Sequence, residues 1–225
     1  FEDSKAISAI KVGLISDDRL LKILLKYLEN EFKGIPVVWD PVLTGTAGDL
    51  HSVDLKAYLK DILKYTTIFT PNLNEALELA SWSKEDFKQK GVKALAQVFL
   101  DLGCQNVVIK GGHNIENTDA KDYFASKEVS FFLVCPKVEG LGAHGGGCAL
   151  SSSLAAFLAN DFAPHDAMVL AKAYVTGGIK EPAHEVLEQN DLRPPIGHHG
   201  LPTWLDDFPQ VFEEGFPSYS ERFAP

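Results

Sequence analysis

The sequence predicts an α/β fold built on a largely parallel sheet, and three observations lead there. Short apolar runs alternate with longer stretches of helical spacing through the first half of the chain, the pattern of βαβ units. The apolar runs end on polar or conformationally special residues: Asp40-Pro41, Thr70-Pro71-Asn72 and Lys110-Gly111-Gly112. The 225 residues are enough for one large core. Because ligands of such sheets bind beyond the carboxyl ends of the strands, the second observation is also the first functional signal.

Taken in order, "AIKVGLI" (residues 9–15) reads as a buried strand, and "RLLKILLKYLENEF" (19–32) spaces Leu and Ile as a helix does. "IPVVWD" (35–40) is a second strand, "LKAYLKDILKYT" (55–66) a helix and "TIFT" a short strand. The helix expected over 84–103 opens at Ser83, with Asp86 in capping-box spacing, and stops at Gly103. "NVVIK" (Asn106–Lys110) is the next strand. Residues 122–134 break the alternation: "DYFAS" and "EVSFFLV" read as a hairpin turned around Lys127, antiparallel to its surroundings. Helices are expected at 147–160 and 165–180. Beyond residue 180 the chain is rich in Pro, His and aromatics, and its tail is expected to be irregular, packing Trp and Phe along the domain surface.

Composition limits the function. Lys and Arg total 21 against 31 Asp and Glu, a formal charge of −10. Such a balance argues against nucleic-acid and anionic-membrane binding, which rest on basic patches. A phosphate ligand would need local backbone N–H groups, a positioned lysine or a metal ion. Cys104, Cys135 and Cys148 form a widely spaced odd trio without a CxxC pair, which fits reduced thiols in a cytoplasmic protein. No apolar run reaches the roughly 20 residues of a membrane span, and the first residues, "FEDSKA", do not read as a signal peptide.

Four stretches carry candidate chemistry, each beside a plainer reading. "AHGGGCALSSSLAAFLA" places Gly145, Gly146, Gly147 and Cys148 before an apolar helix. Consecutive glycine N–H groups can converge on an anion, and a helix beginning at Gly147 or Cys148 would add its dipole. A cysteine in that field could act as base or nucleophile; equally, the stretch fits a flexible turn feeding a buried helix. In "TPNLNEA", Asn72 and Glu75 share one helix face and could hold magnesium and its waters; the same spacing makes a capping box, and the two roles are compatible. Asp40 in "WDPV" is either a turn-former or a site acid. Lys110 in "VIKGGH" is either a solvated lysine or a point charge for phosphate. His184-Glu185 lacks the second histidine of a zinc-protease motif, and no GxSxG elbow or GxxxxGK loop occurs.

In order, "AIKVGLI", "PVVWDPVLTGTAGD", "TPNLNEA", "VVIKGGH", "AHGGGCALSSSLAAFLA" and "AMVLAKAYVTGGI" resemble the ribokinase-like superfamily. Within it they resemble the hydroxymethylpyrimidine and phosphomethylpyrimidine kinases of thiamine synthesis. The resemblance implies a three-layer α/β fold with a central, mostly parallel sheet and an antiparallel hairpin near the nucleotide. It implies a kinase domain over residues 1–182, with 183–225 as an extension packed on it. It further implies ATP- and Mg2+-dependent phosphorylation of 4-amino-5-hydroxymethyl-2-methylpyrimidine or its monophosphate, in a cytoplasmic enzyme and a possible homodimer. By residue-wise carry-over, Cys148 is catalytic and Gly145, Gly146 and Gly147 form an anion hole. Lys110, Asn72 and Gly112 contact the nucleotide, and Gly13, Leu14 and His144 the substrate. Asp40 and Glu75 serve the metal, while the hairpin and the helix ending near Ile179 border the adenine.

The sequence also departs from that pattern. The family loop reads Thr-His-Gly-Thr-Gly-Cys, whereas Ala143 and Gly146 stand at its threonines here, and Leu14 stands where Met is common. Family members open with a strand and a Gly-Ser-Asp…Gly-Gly-Ala-Gly segment that forms much of the pyrimidine site. This sequence begins just before "AIKVGLI" and therefore reads as a fragment, since losing a central strand would expose apolar edges. A pyridoxal kinase of the same fold and a non-catalytic ligand-binding module are the alternative readings.

Overall fold

A computed structural model describes residues 7–43, 53–111, 119–136, 145–180, 196–198 and 208–213. Strand β1 (Ile10–Val12) leads into helix α1 (Asp18–Asn30), then β2 (Val37–Trp39), α2 (Leu59–Leu63), β3 (Ile68–Phe69), α3 (Leu73–Ala80) and α4 (Lys84–Asp101). β4 (Asn106–Lys110), β5 (Asp119–Ser126), β6 (Ser130–Pro136), α5 (Gly146–Leu158), α6 (Pro164–Lys180) and β7 (Gln210–Glu213) follow. The strands form one sheet in chain order. It is parallel from β1 to β4 and antiparallel from β4 to β7. The predicted alternation and hairpin are both present.

Side-chain alternation along the strands builds three layers. Val37, Trp39, Phe69, Val107, Ile109, Tyr123 and Ala125 face one way, into a core completed by α1 to α4 through Leu21, Leu63, Ala76 and Phe99. Val38, Ile68, Val108, Phe124, Phe131 and Leu133 face the other way, against Leu150 and Leu154 of α5 and Met168 and Ala171 of α6. Right-handed crossovers between parallel strands taken in chain order put their helices on one face, so the opposite face is left for α5 and α6. Burying Phe99 completely is worth a few kcal/mol, since truncating such a ring to Ala costs about 3–5 kcal/mol.

Caps define the helix starts. The Asp17 carboxylate accepts from Leu20 N at α1, and Asn72 with Glu75 and Ser83 with Asp86 form complete capping boxes at α3 and α4. Four expectations are corrected. The helix read over 55–66 is confined to Leu59–Leu63, because the Asp54 carboxylate accepts from Lys56 N (3.1 Å) and Ala57 N (3.3 Å) and holds turns there. The helix read over 84–103 is kinked at Gly91, with φ 78° and ψ 174°. α5 begins at Gly146, before both of the residues considered for its start, because Gly145 at φ 87° serves as its N-cap. The tail read as irregular contributes β7, which pairs with β6 and buries Phe212.

Candidate active site

Strand parity explains why two charged groups meet beneath α5. Val38 and Val108 face α5 and α6, so Asp40 and Lys110, two residues further along, point to the same side at the sheet's carboxyl edge. There Lys110 Nζ lies 2.9 Å from Asp40 Oδ1. The Ser151 hydroxyl of α5 donates to Asp40 Oδ2 at 3.1 Å, and the Thr70 hydroxyl lies 3.4 Å from Oδ1. Asp40 is only 2% exposed, so it depends on these partners.

Backbone pairing brings the neighbouring pieces to the same edge. Asp40 N donates to Val12 O, Thr70 N to Trp39 O and Lys110 N to Pro71 O, and Asn72 bridges to Lys110. Glu75 Oε2 accepts from Asn72 N at 2.7 Å while Asn72 Oδ1 accepts from Glu75 N at 2.9 Å. The capping reading of this pair is therefore present, with one carboxylate oxygen engaged in it. Burial pushes the Glu75 carboxyl above its ordinary pKa. The Lys110 charge and the amides of Asn72 and Leu43 oppose that rise, and Asp40 adds to it. Lys110, Asp40 and Glu75 thus form one electrostatic cluster carrying two carboxylates against one ammonium.

The N-terminus of α5 completes the arrangement. No side chain caps this helix, in contrast to α1, α3 and α4, so its first N–H groups are offered by Gly146, Gly147 and Cys148. A Cβ placed on Gly147 would lie 3.4 Å from Lys110 Nζ, which puts the glycine turn beside the lysine. Cys148 is exposed at the third helical residue. Gly13 follows Val12 at the same edge, where a Cβ would meet the folded-back Lys11 ammonium at 2.7 Å, and Leu14 is exposed. Neither has a described contact with the Lys110 cluster. Gly112 and His144 lie outside the described residues.

Ser151 and Asp122 were not anticipated. Ser151 stands three residues after Cys148 on the helix, a spacing that could have flagged it. Asp122 accepts from Gly111 N at 2.9 Å and pairs with Lys172 of α6; an aspartate inside an otherwise strand-like run was its signal. The implied metal fits the donor chemistry. The carboxylates offer hard oxygens with an excess of negative charge, as Mg2+ prefers, and Mg2+ usually takes only one or two carboxylates beside water and phosphate. Among the described residues no group of three or more His, Cys, Asp or Glu forms a metal cage by itself, and no helix is long and apolar enough to cross a membrane.

The family described as phosphomethylpyrimidine kinase matches residues 1–191. A hydroxymethylpyrimidine/phosphomethylpyrimidine kinase from Helicobacter pylori is 30% identical over 206 residues, covering 90% of this chain and 72% of the relative. A Staphylococcus aureus relative, provisionally named a pyridoxine kinase, is 30% identical over 192 residues, covering 84% of this chain and 67% of the relative. The solved structure of Staphylococcus aureus pyridoxal kinase in complex with AMP-PCP and pyridoxal superimposes with a TM-score of 0.72 at 28% identity. That match covers 92% of this chain and 74% of the other.

Proposed function

Because the chain belongs to the phosphomethylpyrimidine kinase family, a family of phosphotransferases with the ribokinase-like fold, we propose that it phosphorylates 4-amino-5-hydroxymethyl-2-methylpyrimidine, or its monophosphate, with Mg-ATP. One observation carries the proposal: Asp40, Lys110 and Glu75 gather beside the uncapped glycine terminus of α5. Phosphoryl transfer asks mainly for in-line placement and charge neutralisation, and the neutralisation would come from Lys110, the α5 N–H groups and a metal ion held by the carboxylates. Lys110 offers a point charge to nucleotide phosphate oxygens. The N–H groups of Gly146, Gly147 and Cys148 face the charge that builds on the transferred phosphoryl group, aided by the helix dipole. Asp40 and Glu75 would hold Mg2+, which when bound offsets the phosphate charge. In the reaction the acceptor oxygen bonds to the γ-phosphorus, the bond from that phosphorus to the bridging oxygen of ADP breaks, and Cys148, as general base, takes the hydroxyl proton.

A second reading, phosphorylation of pyridoxal, is favoured by the likeness to the Staphylococcus aureus pyridoxal kinase. ADP release by the protein with the hydroxymethylpyrimidine, its monophosphate and pyridoxal decides between them. The expected result is turnover with a pyrimidine acceptor and a fall of about 100-fold or more in Cys148→Ala, the scale of a positioned general base. Preferred turnover of pyridoxal selects the second reading. Nucleotide binding without turnover of any acceptor, in protein that carries the whole reading frame, would mean a binding module instead.

A further inference from the structure

We propose that Asp122 and Lys172 act as a buried positioning dyad that fixes the Gly111 amide and, through the adjoining residue, the Lys110 ammonium at the phosphate site. The inference rests on the phosphotransfer reading and adds two residues to it, neither of which would touch substrate.

Burial and two hydrogen bonds define the pair. Both side chains are buried, with 5% and 9% of their surfaces exposed, and Lys172 Nζ donates to Asp122 Oδ2 at 2.6 Å. The other carboxylate oxygen, Oδ1, accepts from Gly111 N at 2.9 Å. Gly111 directly follows Lys110, and a Cβ on it would collide with the Lys121 carbonyl oxygen. The strand end is thus held against β5 by backbone contact and by one carboxylate. Parity places that carboxylate correctly: Asp122 and Phe124 lie on the same side of β5, and Phe124 packs against the core of α5 and α6. Lys172 reaches it from α6, where Met168, Lys172 and Thr176 repeat every four residues on the buried face.

A buried ion pair contributes little net stability compared with apolar residues of the same size, because desolvation offsets the attraction. Here the carboxylate has a second task that an apolar residue could not perform, which is to accept the amide beside Lys110. Lys172 gives that buried carboxylate its counter-charge, and against the opposing effect of burial the neighbouring Asp122 raises the Lys172 pKa. The Lys172 carbonyl also accepts from the Thr176 hydroxyl, which tethers the lysine's own turn of α6.

Two double variants separate positioning from mere packing. Asp122→Asn with Lys172→Met removes both charges but keeps an oxygen for the Gly111 amide. Asp122→Leu with Lys172→Met removes the oxygen as well. ADP affinity by calorimetry, KM for ATP, kcat and thermal midpoint are measured on each. The Asn/Met protein is expected to bind ADP within about threefold of wild type, and the Leu/Met protein about tenfold or more weakly, a change of about 1.4 kcal/mol. That loss is expected in KM for ATP more than in kcat, with similar thermal midpoints for the two variants. Equal ADP affinity in both doubles, or an equal loss in both, overturns the dyad while leaving the kinase reading intact. Failure of the wild type to bind ADP sinks the kinase reading and this role together. Should the Leu/Met protein not fold, exchange of the Gly111 amide in wild type decides the matter: protection is expected, and rapid exchange overturns the dyad.

Discussion

Glu75 carries opposing demands at the scale of a single residue. Its carboxylate closes the α3 capping box, yet burial makes its charge unfavourable. Because its folded pKa lies above the ordinary glutamate value, the native chain takes up this proton earlier on acidification than the unfolded chain does. The cost of the charge is therefore full at neutral pH and vanishes as pH falls from the raised folded value to the ordinary one. Glu75→Gln keeps an oxygen for the Asn72 amide and cannot ionise. It should melt above wild type at pH 7, with the two converging in acid, while kinase activity falls by roughly 10- to 100-fold, the scale of losing a carboxylate that holds the metal through its waters. A variant less stable than wild type at pH 7 would refute this account. At this scale the sequence was legible where chemistry and spacing coincide: the Asn72/Glu75 pair showed both its capping geometry and its place at the strand end. Partners remote in sequence were not legible. Nothing local announces that Lys110 meets Asp40 across 70 positions, or that Ser151 reaches the same carboxylate across 111. Lys172 is intermediate, since a lysine in an apolar stripe signals a buried partner without naming it.

Among the elements, strands buried on both faces were the easiest to read. β4 has the predicted bounds because Val107, Val108 and Ile109 form a continuous apolar run between a polar residue and a charge. α2 was overextended because its periodicity continues into turns held by Asp54, and β7 was missed because four residues carry little periodic signal. The end of α6 has a further consequence. Gly197 N donates to Gly178 O at 2.9 Å, and Ile196 lies 3.7 Å from where a Cβ on Gly145 would stand. Residues 196–197 thus wedge between the last turn of α6 and the N-cap of the glycine turn. A methyl group on Gly178 would collide with the Gly197 carbonyl oxygen and lie 2.5 Å from Ile196 Cγ1. Gly178→Ala should therefore push this wedge outward, lowering stability by about 1–3 kcal/mol, the scale of overpacking, and weakening ADP binding. Urea denaturation and ADP titration check both effects. Unchanged stability would mean that the segment moves aside freely, and unchanged ADP affinity that it does not support the turn.

For the molecule as a whole, two cores on opposite faces of one sheet sort the cysteines by reactivity. Cys104 is buried in the core of α1 to α4, its Sγ 2.9 Å from Asn106 O, and burial pushes its thiol pKa up to about 12. Cys135 is buried on β6, its Sγ 3.4 Å from the Thr176 hydroxyl oxygen of α6, and burial again raises its pKa. Since the thiolate is the reacting species, high pKa and burial both silence a cysteine. Cys148 is exposed in the first turn of α5, which is anchored through the next residues, Ala149, Leu150 and Ser151. Its exposure follows from its place in the arrangement: Cys148 shares a helix face with Ser151, which reaches Asp40, but lies one turn nearer the start of α5 at the carboxyl edge of the sheet. Titration of the native protein with an aromatic disulfide should accordingly modify one thiol per chain rapidly and three after denaturation, with peptide mapping placing the native adduct on Cys148. ADP and Mg2+ should slow that reaction if phosphates occupy the glycine turn beside Lys110. Rapid modification of Cys104 or Cys135 in the folded state would contradict the two-core packing. Modification of Cys148 at a rate indifferent to saturating Mg-ADP would separate the thiol from the phosphate site.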